Sequence, residues 1–142
     1  MQRNATLAPI KAGIFYFILV FAAAFVLGAV RIRIIVPNLG EIAGLLIELP
    51  VILAWAWIVC GWLIRQFRVP TQAQPRFVMG GLAFVLLIVA ETLVGVIGLR
   101  ESILEHFAAY GKVPMLIGLA AQLAFAAMPW LRLKFVLPRR FE

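Results

Sequence analysis

Four apolar runs alternate with three short polar segments along this chain. The runs cover about 12–30, 42–64, 77–99 and 113–131. A helix rises about 1.5 Å per residue, so roughly 20 residues cross a hydrocarbon core about 30 Å thick. Each run therefore predicts one membrane-spanning helix. The first linker, 33–40, carries Pro37 and Asn38, and the second, 66–76, carries Pro70 and Pro75. Such residues mark helix ends and turns. The third linker, 100–112, has a different texture. Ile103, Leu104 and Phe107 alternate with Glu101, Glu105 and His106. That spacing predicts a short amphipathic helix lying in the interface, with the charged residues as its solvated face. The pattern as a whole predicts a single all-α domain over 1–142, an integral membrane four-helix bundle.

Arg3 and Lys11 precede the first run, which includes Ala22–Ala23–Ala24. This is the layout of a cleaved leader, but its apolar stretch exceeds the usual 7–15 residues. It reads as a retained span.

Composition agrees with the pattern. Hydrophobic residues make up 65% of the 142 positions, against about 45–50% in soluble domains. The net charge of +7 raises nucleic acid as a partner, but the basic residues flank apolar runs and form no long basic face. Membrane orientation and anionic lipid head groups account for them better. Arg3, Lys11, Arg65, Arg68, Arg76, Arg132, Lys134, Arg139 and Arg140 lie on one side, and Arg31, Arg33, Arg100 and Lys112 on the other. The positive-inside rule then places both termini in the cytoplasm. Trp62 and Trp130 fall near the cytoplasmic ends of their spans, where aromatic belts form. The lone Cys60 permits no intrachain disulfide and no cysteine metal site.

Charge inside the runs carries the functional signal. Glu48 and Glu91 lie within them, at a cost of about 2.5–3.5 kcal/mol for a charge near a helix centre. Counting from the outer ends puts both about 10 Å deep, and Gln122 about 13 Å deep. Arg31 and Arg33 end the first run at the outer boundary, or just inside it if Ile34, Ile35 and Val36 extend the helix, and their long side chains can reach inward; Glu41 opens the second run. Arg31, Arg33, Glu41, Glu48, Glu91 and Gln122 are thus expected to form one polar layer in the outer half of the bundle. Faces point the same way. Glu41, Glu48, Trp55 and Trp62 recur every seventh residue, and Gly40–Gly44 has GxxxG spacing. Gly118, Gln122 and Ala126 share a stripe of the fourth run, and Gly28 and Arg31 one of the first. Small residues beside polar ones suggest that these stripes face inward. Pro50, just past Glu48, removes one helical N–H.

The layer has two readings. Glu48 and Glu91 serve as a proton or cation site or as a catalytic acid, or they fix packing through an ion pair with Arg31 or Arg33 or through a shared proton. The chain has no phosphate loop, no nucleophile elbow, no paired histidines and no Glu-x-x-His set. Catalytic, metal and cofactor sites are therefore not expected, and an enzyme is the weakest reading.

Several stretches resemble a pattern in small bacterial four-span inner-membrane proteins: Gly28–Ala29–Val30–Arg31, Val36–Pro37–Asn38–Leu39–Gly40–Glu41, Leu46–Ile47–Glu48–Leu49–Pro50, and Met79–Gly80–Gly81–Leu82–Ala83–Phe84 with Ala90–Glu91. This resemblance implies a multi-pass bacterial inner-membrane topology and no particular chemistry. Small multidrug transporters also have four spans, but their membrane glutamate lies in the first helix, where this chain has no acid before Arg31. The expected role is non-catalytic: structural, lipid-engaging or accessory, with membrane lipids, further copies or a partner membrane subunit as contacts. The alternative is a small proton- or ion-coupled transporter using Glu48 and Glu91.

Overall fold

The computed structural model describes residues 2–135; Arg139 and Arg140, used above for orientation, lie outside them. The described residues are almost entirely helical and contain no strand. Helix α1 covers Gln2–Val30, continues through a π-helical segment, Arg31–Ile35, and closes with one α-helical turn, Val36–Leu39. Helix α2 covers Glu41–Gln66, and α3 covers Ala73–Leu93 and ends in a second π-helical segment, Val94–Gly98. The short α4, Ile103–Ala108, and a 3-10 turn, Ala109–Gly111, precede α5, Val113–Phe135. Helices α1, α2, α3 and α5 are long and apolar enough to cross a membrane. This is the architecture of a multi-pass membrane bundle.

The helices outrun their apolar cores. Residues 33–39, expected as a linker, stay helical, and Gly40 alone separates α1 from α2. Its φ of 85° and ψ of 167° belong to a region that side-chain-bearing residues rarely enter. Leaving α1 in one residue requires that conformation. Arg31 and Arg33 consequently sit inside a helix.

Helix α1 packs on α2 and α3, and α5 packs on the same two. The order around the bundle is therefore α1, α2, α5, α3, with α2 and α3 on a diagonal. Between apolar helices in lipid, close approach and packing supply much of the attraction. Gly13 lies against the Met79 carbonyl and Gly80 against the Ala126 carbonyl, which brings α3 within backbone contact of α1 and α5. The dense core sits in the half nearer the two ends of the chain. Ala12, Tyr16, Ala56, Cys60, Leu63, Met79, Ala83 and Phe125 are buried there. Tyr16 stacks on Phe125 and donates its hydroxyl to the Phe125 carbonyl at 2.9 Å.

Arginines close this end. Buried Arg76 donates from Nε to the Pro70 carbonyl at 3.0 Å. Arg132 donates to the Trp57 carbonyl at 2.7 Å and lies 4.4 Å from the centre of the Trp57 ring. The stripe 41-48-55-62 does not stay inward. Glu41, Trp55 and Trp62 are all exposed, and a seven-residue spacing, which drifts by about 20° per step on a straight α-helix, does not keep one face.

Candidate functional site

In the other half of the bundle the polar layer surrounds a cavity. Arg31 opens the π-helical segment of α1, where the backbone carries an extra residue in the turn. Its side chain crosses to α2 over Gly44. A Cβ at Gly44 would lie 3.0 Å from Arg31 Cγ, so this glycine makes room for the arginine rather than for a second backbone. Arg31 Nε donates to Glu48 Oε2 at 2.5 Å, with the two side chains 18% and 12% exposed. Of the expected partners for the buried acids, Arg31 takes Glu48 and Arg33 takes neither. Arg33 is exposed and away from the cavity.

Glu91 on α3 accepts a hydrogen bond from Gln122 Nε2 on α5 at 2.6 Å. Two polar pairs thus join neighbouring helices, α1 to α2 and α3 to α5. Glu48 and Glu91 lie on diagonal helices, and each has its own partner. One turn of α3 is also tied by Thr92, whose hydroxyl donates to the Ile88 carbonyl at 2.8 Å.

The chain after α3 folds back over this end. Leu99 closes the π-helical segment through bonds to the Val94 and Gly95 carbonyls, and Arg100 turns the chain with a φ of 57°. Ser102 and Glu105 then form a reciprocal capping box at the start of α4. Glu105 Oε2 accepts from the Ser102 N–H at 2.9 Å, and Ser102 Oγ accepts from the Glu105 N–H at 3.1 Å. The backbone N–H of Ser102 first, and then its hydroxyl, hold the exposed Glu105 carboxyl below its ordinary pKa of 4.5. Ile103, Leu104 and Phe107 remain exposed, as an interface-lying helix requires.

His106 departs from the solvated face expected for it. It is buried, with 8% of its surface exposed, because α4 presses it onto Gly95, where a Cβ would lie 2.6 Å from Nδ1. Nδ1 stands 3.2 Å from Glu101 Oε2. The edges of the Phe107 and Tyr110 rings pack near its own. Only Glu105 and part of Glu101 keep the expected solvent exposure.

The cavity encloses about 310 Å³. Arg31, Glu41, Glu48, Glu91 and Gln122 line it, joined by His106 and Tyr110. Its remaining wall is apolar, with Leu49, Ile52, Leu87, Leu119 and Phe125 among the lining residues. Five of the six expected layer residues therefore meet at one space. His106 and Tyr110 were missed. The pattern of 100–112 locates α4, and the Ser102-x-x-Glu105 spacing marks its start, but nothing in the linear pattern turns its histidine inward.

Three polar atoms at this cavity are buried without a hydrogen-bond partner among the described residues: His106 Nε2, the Tyr110 hydroxyl and Gln122 Oε1. Burial first, and then the negative charge of Glu91, push the Tyr110 hydroxyl above its ordinary pKa of 10.0. It stays a neutral donor and acceptor across the physiological range. The described residues hold no cluster of three or more metal-ligating side chains.

No family model matches the chain. Nor does any curated protein or solved structure.

Proposed function

We propose that this chain is a non-catalytic, multi-pass protein of a bacterial inner membrane that engages a lipid or other amphiphilic ligand in the cavity bounded by Arg31–Glu48 and Glu91–Gln122. The observation that carries this reading is the set of three buried polar atoms left without partners at that cavity. Buried polar groups ordinarily pair, because each unpaired one costs about 1–3 kcal/mol, and three of the four without a partner among the described residues belong to residues of this one cavity wall, Arg132 Nε being the fourth. The cavity is at the lower end of the roughly 300–1,000 Å³ range of ligand pockets, and its mixture of apolar wall and few polar groups is typical of them.

The basic flanks support an orientation with both ends of the chain in the cytoplasm and suit anionic head groups at that surface. Gly28 and Gly81 have open space around them, which favours lateral association with a second copy or a partner membrane subunit.

Native mass spectrometry of the chain purified from its own membrane in mild detergent tests the reading. A retained ligand mass is expected, lost in Gln122→Leu. Protein that is folded and carries no adduct in any preparation overturns it.

A transporter is the second reading, favoured by one observation: a single cavity touches both Glu48 and Glu91. Proton-coupled uptake in vesicles, lost in Glu91→Gln with the fold intact, would distinguish a carrier from a binding protein.

A further inference from the structure

The ligand class follows from which hydrogen-bonding capacity the cavity leaves unused. We infer that the cavity takes a small primary ammonium compound with an apolar body. This inference rests on the reading of the cavity as a ligand site and names what fills it.

Gln122 spends its N–H on Glu91, so the atom it leaves over, Oε1, can only accept. His106 Nδ1 stands 3.2 Å from Glu101 Oε2, the place for an Nδ1–H facing a carboxylate oxygen, and a ring whose one hydrogen sits there has a lone pair on Nε2. Glu91 retains acceptor capacity after its bond from Gln122. The Tyr110 hydroxyl accepts as readily as it donates. Apart from that hydroxyl, the leftover groups at this end of the cavity all want a donor. An ammonium group supplies three N–H donors and has no lone pair. A carboxylate or phosphate supplies none.

Charge points the same way. Glu41, Glu48 and Glu91 line the cavity, against the single guanidinium of Arg31, and that guanidinium is already engaged by Glu48. A cation relieves the excess of carboxylate, whereas an anion adds to it. Size excludes a bare inorganic ion as a fit. About 310 Å³ is roughly ten times the share of one liquid water, and much of the wall is hydrocarbon. The ammonium head is therefore placed among Glu91, Gln122, His106 and Tyr110, with its apolar body toward Leu49, Leu119 and Phe125.

Titration calorimetry on the full chain in mild detergent tests this with three probes of one chain length: 3-phenylpropylammonium, hydrocinnamyl alcohol and hydrocinnamate. The ammonium should bind about tenfold or more tighter than the alcohol, the scale of one charge-assisted hydrogen bond. The carboxylate should not bind. Glu91→Gln, which can still accept from Gln122, should collapse the ammonium-to-alcohol ratio toward unity. Tyr110→Phe should weaken the ammonium more than the alcohol. Equal binding of all three probes, or tightest binding of hydrocinnamate, overturns the ammonium assignment and leaves the cavity reading in place. So does failure of every probe on protein that still carries its native adduct. Failure of every probe on protein that carries no adduct overturns both.

Discussion

Arg31 and Glu48, seventeen residues apart, meet at 2.5 Å across the α1–α2 contact with most of their surface covered. Breaking such a pair costs more than the pair contributes, because one charge is left buried and alone, about 3–5 kcal/mol. Arg31→Met should be the worse single change, since it strands Glu48. Glu48→Leu should cost less, because a long arginine can reach toward the surface. The double variant should recover much of the loss. Thermal unfolding of the three in one detergent checks the order, and equal additive losses would contradict it.

Gly80→Ala should separate α3 from α5. A Cβ there would run into the carbonyl of Ala126, and a helix backbone cannot step aside as a side chain can. Overpacking typically costs about 1–3 kcal/mol, and the rigid neighbour puts this case at about 3 kcal/mol. Gly81→Ala is the control, since open space surrounds Gly81. A lower melting temperature for the first and little change for the second are expected.

Gly95→Ala should dislodge His106. The new Cβ would lie 2.6 Å from His106 Nδ1 and 3.1 Å from Glu101 Oε2. Imidazole nitrogen shifts measured by NMR should show loss of the single bonded tautomer and averaging of the two ring nitrogens. An unchanged spectrum would mean that α4 does not press the ring onto this glycine.

The start of α4 should loosen in acid. The folded pKa of Glu105 lies below its ordinary 4.5, so the unfolded segment binds the proton more readily. The contribution of this carboxylate is therefore fully present above the ordinary value and is lost as the pH falls through the folded one. Amide protection across 103–108, taken relative to the intrinsic exchange rate at each pH, should fall over that window in the parent. Glu105→Gln, whose amide oxygen can still accept from the Ser102 N–H but does not titrate, should show no change in protection across it.

Much of this architecture can be read from the linear pattern, for a simple reason. A bilayer crossing needs about 20 apolar residues, and the four apolar runs announce α1, α2, α3 and α5. Depth along a helix is equally direct, and it groups Glu48, Glu91 and Gln122 before any contact is known. Rotation is harder. The seven-residue spacing of Glu41, Glu48, Trp55 and Trp62 imitates a face that the real helical period does not keep. Arg33 shares the depth of Arg31 and not its direction. His106 is least legible of all. Its burial depends on the chain doubling back after Gly98, on Arg100 adopting a left-handed backbone, and on Gly95 having no side chain. Each is a tertiary condition that adjacent residues do not encode.

The π-helical segment at Arg31–Ile35 has a consequence for length variation in this helix. It holds one residue more than a regular turn needs, and each residue advances a helix by about 100°. Deleting a single residue there would shorten α1 slightly and let the turn relax to ordinary geometry. Side chains before and after the deletion would then keep their own bearings. The same deletion ten residues earlier would swing Arg31 about 100° away from Glu48. The helix thus contains a spare tooth, and only at that point can its gearing lose one without jamming.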